Sequence, residues 1–159
     1  MRVNGSKGVK PIECINPPKN RWAVRWDFQE DENEGFSYEE AIFDYKPGIE
    51  EIRAIIEAWI NTMTEEAISS GYNWAGAPVW LSAENQLNYK TAYDLAVQTA
   101  GASLPYTIKF GSWEEPVYYT FEDLEDFTEF FTGAVRHIQG TLAEGWRQKD
   151  AIDLADYEV

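Results

Sequence analysis

Trp22-Ala23-Val24-Arg25-Trp26-Asp27-Phe28-Gln29 is the stretch that decides the fold class. Large apolar side chains alternate with small or polar ones, the period-two pattern of a strand with one buried face. The acidic turn Glu30-Asp31-Glu32-Asn33-Glu34-Gly35 follows, and Phe36 to Tyr45 returns as the antiparallel partner before Pro47-Gly48 stops it.

Downstream the period changes. Ile49, Ile52, Ile55, Ile56, Trp59, Ile60, Met63 and Ala67 recur at helical spacing, so a helix runs over 49–69 with its acids Glu50 and Glu51 at the favourable N-terminal end. Gly71 to Leu81 reads as a second, short hairpin turning at Ala75-Gly76. Ser82 caps a helix over 83–100, closed by Gly101. A third strand pair, 106–110 and 117–121, brackets the turn Gly111-Ser112-Trp113-Glu114-Glu115-Pro116. The last helix runs over 122–148, with Leu124, Phe127, Phe131, Ala134, Val135, Ile138, Leu142 and Trp146 on one face and Gly140 and Gly145 weakening its second half. The expected class is α+β: antiparallel hairpins with three main helices packed on them. The side chains of the three ββα groups do not match at a fixed period, so they are not read as a repeat.

Upstream, residues 1–20 are rich in Gly, Pro, Asn and Lys and read as an extended basic arm. Residues 1–25 carry six basic side chains against one acid, Glu13, whereas the remainder carries seven against 27. Such an arm folds back onto the acidic body, reaches a neighbouring subunit, or stays a solvated tail. The expected organisation is one compact domain: the arm 1–20, a ββα portion 21–78 and a C-terminal portion 79–159.

Composition narrows the functional classes. A net charge of −15 argues against a nucleic-acid-binding surface. No apolar run approaches the ~18 residues of a membrane span, and no apolar segment follows the N-terminal bases as a secretory signal needs. One cysteine, Cys14, forms no disulfide within the chain, and zinc-ligating clusters of His and Cys are lacking. His137 is the sole histidine and reads as structural, without the fixed partner that nucleophilic catalysis requires. Aligning the acidic turn as a calcium loop puts Gly35 at the sixth position but Ala41 where a bidentate Glu belongs. The glycines around Asn4-Gly5-Ser6-Lys7-Gly8 lack phosphate-loop spacing. No catalytic residue, cofactor or metal is therefore expected.

Seven Trp are more than one small core needs. Trp113, in a polar turn between strands, is the first candidate for partner binding, against the alternative that it folds back over a sheet edge. Trp74 and Tyr72 are weaker candidates of the same kind.

From Val79-Trp80-Leu81-Ser82-Ala83-Glu84-Asn85-Gln86 through the Ala-rich helix, Leu104-Pro105, the strand pair 106–121, Arg136-His137-Ile138, Trp146, Lys149 and Ile152, the chain resembles a family known from phage genomes. This is the uncharacterised domain at the C-termini of phage and prophage tail-fibre and tail-fibre-assembly proteins, in its Bacteroides-type phage version. The resemblance spans residues 79–152 and leaves 1–78 outside it. It implies a non-enzymatic virion component or assembly factor, present in the host cytoplasm during assembly or in the virion. Its partner would be another phage structural protein, or a second copy reached through the arm. The long repeat shaft of a fibre is missing, which favours a stand-alone or chaperone-like role. Two other readings are an acidic module that imitates DNA or blocks a host protein, and a hydrolase using paired carboxylates.

Overall fold

A computed structural model describes residues 1–30 and 35–158. The expected class is correct: three helices and antiparallel hairpins make an α+β fold. The chain divides into two compact units. The first takes in Met1–Trp59 and the C-terminal end from Lys149; the second is Ile60–Gln148.

The first unit is a four-stranded antiparallel sheet in the order β1-β4-β3-β2, with β1 at Arg2–Gly5, β2 at Ile12–Asn16, β3 at Arg21–Glu30 and β4 at Phe36–Phe43. The hairpin β3–β4 is as the alternation predicts, with Trp22 opposite Phe43 and Arg25 opposite Glu40. Residues 1–20 take the first of the three courses open to the arm and fold back onto the body as strands rather than as an unpaired extended segment. They supply both edge strands, β1 on β4 with Val3 opposite Tyr38, and β2 on β3 with Ile12 opposite Val24. Complementary charge accompanies the pairing: Arg2 meets Asp27 and Glu39, Lys7 meets Glu30, and Arg21 meets Asp44. The arm is thus engaged within its own chain. Cys14 lies in β2, part-buried and free.

An inner strand of the sheet, β3 is buried on both faces from Ala23 to Trp26, so the half-buried reading holds only for its ends. Burying Arg25 requires partners. Its Nε donates to Glu40 at 2.7 Å and its guanidinium also donates to Glu13 and to the Lys10 carbonyl, 5.5 Å from the centre of the Tyr38 ring. Burial alone would lower its pKa; the hydrogen bonds to Glu40 and Glu13 outweigh that and raise it. From the C-terminal turn the buried Tyr157 hydroxyl donates to the Arg25 carbonyl at 2.6 Å. The comparison of the acidic turn with a calcium loop falls on residues 31–34, outside the described residues.

Helix α1, Ile49–Ser70, matches its predicted span, and Ile52, Ile56 and Ile60 are buried along its apolar stripe. In the second unit β5 (Tyr72–Trp74) and β6 (Ala77–Val79) form the short hairpin around Ala75-Gly76. Helix α2, Ala83–Gln98, starts on Ser82, whose Oγ accepts from the Asn85 N–H at 3.2 Å. Strands β7 (Tyr106–Gly111) and β8 (Pro116–Phe121) make the third hairpin, and α3 runs Leu124–Asp150. It begins two residues later than expected because Asp123 is the cap, accepting the Asp126 N–H at 2.9 Å.

The core of this unit is aromatic. Phe121 stacks on Phe127 with centroids 4.5 Å apart, and Phe130 meets Tyr72, Trp74, Tyr89 and Phe121. The face of α3 is corrected here: Phe127, Phe130 and Ala134 are buried, so Phe130 belongs in the stripe, whereas Trp146 is 61% exposed. Gly145 is not merely a weak point. A Cβ there would lie 2.5 Å from the Thr64 hydroxyl, so glycine lets α3 approach α1 closely.

Candidate partner-binding site

The hairpin β7–β8 turns one face to the core and one to solvent. Ile108 and Phe110 point inward, while the opposed pairs Thr107–Thr120 and Lys109–Tyr118 share the outer face. Lys109 Nζ lies 5.5 Å from the centre of the Tyr118 ring, a cation–π contact on a tyrosine that is 68% exposed.

The turn beyond is built by Gly111 and Ser112. Gly111 has φ of +89°, and a Cβ on it would come within 2.5 Å of the Glu115 carbonyl. The Ser112 N–H donates to that carbonyl at 3.2 Å, and Ser112 Oγ accepts the Glu115 N–H at 3.0 Å. These bonds close the turn from both sides. Trp113 is carried at its tip, 96% exposed, so it does not fold back over a sheet edge.

Trp113 is not isolated. It lines a groove of about 440 Å³ with Trp80, Asn85, Tyr89, Lys109 and Ser112. Trp80, 56% exposed, is positioned by the first turn of α2: Asn85 Nδ2 donates to the Trp80 carbonyl and Gln86 Nε2 to the Leu81 carbonyl. Tyr89 forms the inner wall; its ring packs on Phe130, and burial raises its pKa. Trp80, Tyr118 and Tyr89 carry no turn signal in the sequence, so they escape a search for aromatics in polar turns. The predicted hairpin and capped helix, which bring them beside Trp113, were the available clue.

The other two aromatic candidates occupy different ground. Tyr72 is buried: its hydroxyl donates to the Phe130 carbonyl at 2.7 Å, and burial pushes its pKa up to about 12. Trp74 packs edge-on to Tyr119 and Phe130. Neither shares the exposure of Trp113, because the hairpin β5–β6 lies against the aromatic core. His137 Nε2 faces two carbonyls, Ala67 at 3.0 Å and Ile68 at 3.2 Å, so that nitrogen carries the proton and donates to the C-terminal turn of α1.

Asp123, Glu125, Asp126 and Glu129 border a shallow depression, with Asp126 accepting from the Tyr119 hydroxyl at 2.7 Å. Among the described residues no three His, Cys, Asp or Glu side chains gather as a metal site would need. No helix among them is long and apolar enough to cross a membrane. No protein-family model, curated protein or solved structure matches the chain.

Proposed function

We propose that this protein works by binding another protein, as a non-enzymatic component of phage or prophage tail or tail-fibre assembly. The observation that carries the binding reading is the display of Trp113, almost fully exposed on a turn closed by its own hydrogen bonds. Water-exposed indole on a preorganised turn loses little conformational entropy on docking, which is how aromatic anchors concentrate binding energy. Trp80 and Tyr118 add exposed ring surface on the same unit. The phage assignment rests on the family resemblance of residues 79–152, and with it the host cytoplasm or the virion as the place of action.

The nucleic-acid-mimic reading has less support. A mimic needs free carboxylates in rows, yet in the first unit Glu13, Asp27, Glu30, Glu39, Glu40 and Asp44 all meet cations. Co-purification of the wild-type chain and of Trp113→Ala with virions, and with a co-expressed fibre subunit, tests the proposal. Association by the wild type that is lost in the variant is the expected result. A wild-type chain that associates with neither sinks it.

A further inference from the structure

The groove beside Trp113 has a hydrogen-bonding character that selects among ligands. Tyr89 is only 7% exposed and lines the groove; its hydroxyl makes no hydrogen bond among the described residues, and it is not one of the polar atoms sealed from water without a partner. A phenol at a groove wall with no bond to the protein is free to donate to an acceptor on a bound ligand. Lys109 has no carboxylate partner among the described residues; its ammonium is held only over Tyr118. Ser112 Oγ already accepts from Glu115, which leaves its O–H to donate. Trp80 and Trp113 contribute indole N–H groups, donors only. On the acceptor side, Asn85 spends its amide N–H on the Trp80 carbonyl and keeps its side-chain oxygen. Among the described residues no carboxylate lines the groove.

A donor-rich, aromatic-walled groove suits a ligand rich in acceptors and poor in donors. A proline-rich segment in the polyproline II conformation is such a ligand: its carbonyls are unpaired, its prolines carry no N–H, and its flat rings stack on aromatic faces. A saccharide is a poorer match, because each sugar hydroxyl brings a proton that needs an acceptor, and the lining side chains offer only the Asn85 amide oxygen and the two hydroxyl oxygens of Tyr89 and Ser112. We propose that the groove lined by Trp80, Tyr89 and Trp113 receives an extended, proline-rich segment of the partner protein. This rests on the protein-binding reading above and names the chemistry of the partner at that site.

The test uses the full chain and three probes: an oligoproline decamer, a Gly-Ser decamer, and a soluble glucose hexamer. Binding is read from the indole N–H resonances of Trp80 and Trp113. The oligoproline is expected to shift both resonances. Its affinity should fall about tenfold in Trp113→Ala and about threefold in Tyr89→Phe, which keeps the ring in the core and removes only the hydroxyl. No response at millimolar oligoproline, an equal response to the Gly-Ser peptide, or a response to the sugar alone overturns the proposal. Co-purification separates the two levels. If Trp113→Ala loses the partner while oligoproline is inert, the docking face stands and its proline chemistry falls. If the partner is retained by Trp113→Ala, the docking face falls as well.

Discussion

At the centre of the first unit sits a guanidinium, Arg25, held by Glu40 and Glu13; at the centre of the second, Phe121 lies flat on Phe127 with Phe130 against both. The first unit stabilises an ion by surrounding it with partners drawn from β2 and β4, so its interior is conditional on every partner being present. The second removes ring surface from water, a contribution that scales with buried area and does not depend on any one contact. The difference extends to the surface. Arg2 and Lys7 of the arm are matched by acids of β3 and β4, whereas among the described residues the second unit leaves four large rings, Trp80, Trp113, Tyr118 and Trp146, more than half exposed. The unit with the apolar interior is the one that carries the proposed docking surface.

Truncating Phe127 is the strongest test of that contrast. It is fully buried amid Tyr93, Tyr106, Phe121 and Phe130, so Phe127→Ala should cost about 3–5 kcal/mol, read as a lowered denaturation midpoint. Arg25→Ala should cost somewhat less, about 3 kcal/mol, because Glu40 loses its partner in a largely buried position while Glu13, about half exposed, recovers water. Arg25→Met should recover part of this by refilling the space without leaving a cation. If Arg25→Met were as damaging as Phe127→Ala, the ionic centre would matter through its specific contacts more than argued here.

Alkaline pH probes one tyrosine in each unit. Tyr72 and Tyr157 are both pushed to about 12 by burial, above the value near 10 of an unfolded chain. Between those values the unfolded state has released a proton that the folded state retains. The stabilising contribution is therefore complete below pH ~10 and is lost as pH rises towards 12, about 2 kcal/mol for each tyrosine. Tyr72→Phe and Tyr157→Phe should each flatten the alkaline decline. At neutral pH each should cost about 1 kcal/mol, the hydroxyl's bond to the Phe130 or Arg25 carbonyl. An unchanged alkaline profile in both variants would show that neither phenol controls it.

The parts of this contrast that are local in sequence could be read from it. Alternation over 22–29, the helical stripe of α1 and the Ser82 cap each depend on neighbours a few residues away, and each is found where expected. Which course the arm takes is not legible because its pairing is non-local: nothing near Arg2 announces Glu39, 37 positions on, and Gly, Pro and Asn mask a four-residue strand. Arg25 looked like a solvent-facing residue of an amphipathic strand, since a single strand does not reveal that both its faces are covered. On α3 the pattern allowed two stripes, and choosing Phe131 over Phe130 carried the face towards Trp146. For the site, Trp113 stood out because its neighbours are polar. Trp80 and Tyr118 sit within apolar runs, where exposure depends on the face each strand end presents.

The smallest effect on stability should come from the residue that the proposed function makes the main anchor. Trp113 is exposed at the tip of a turn whose closure depends on Gly111 and Ser112, not on the indole. Trp113→Ala should therefore leave stability unchanged within about 0.5 kcal/mol. The same substitution should weaken partner capture by about 2 kcal/mol, roughly thirtyfold, as removal of an aromatic anchor does. Gly111→Ala makes the complementary case: the indole remains, but a Cβ collides with the Glu115 carbonyl and the turn must deform. It should weaken capture by misplacing Trp113 and also lower the denaturation midpoint. If Trp113→Ala destabilised the fold as much as Gly111→Ala, the indole would be part of the turn's own packing. The contrast between a unit that matches its charges and one that displays its rings would then lose its outward half.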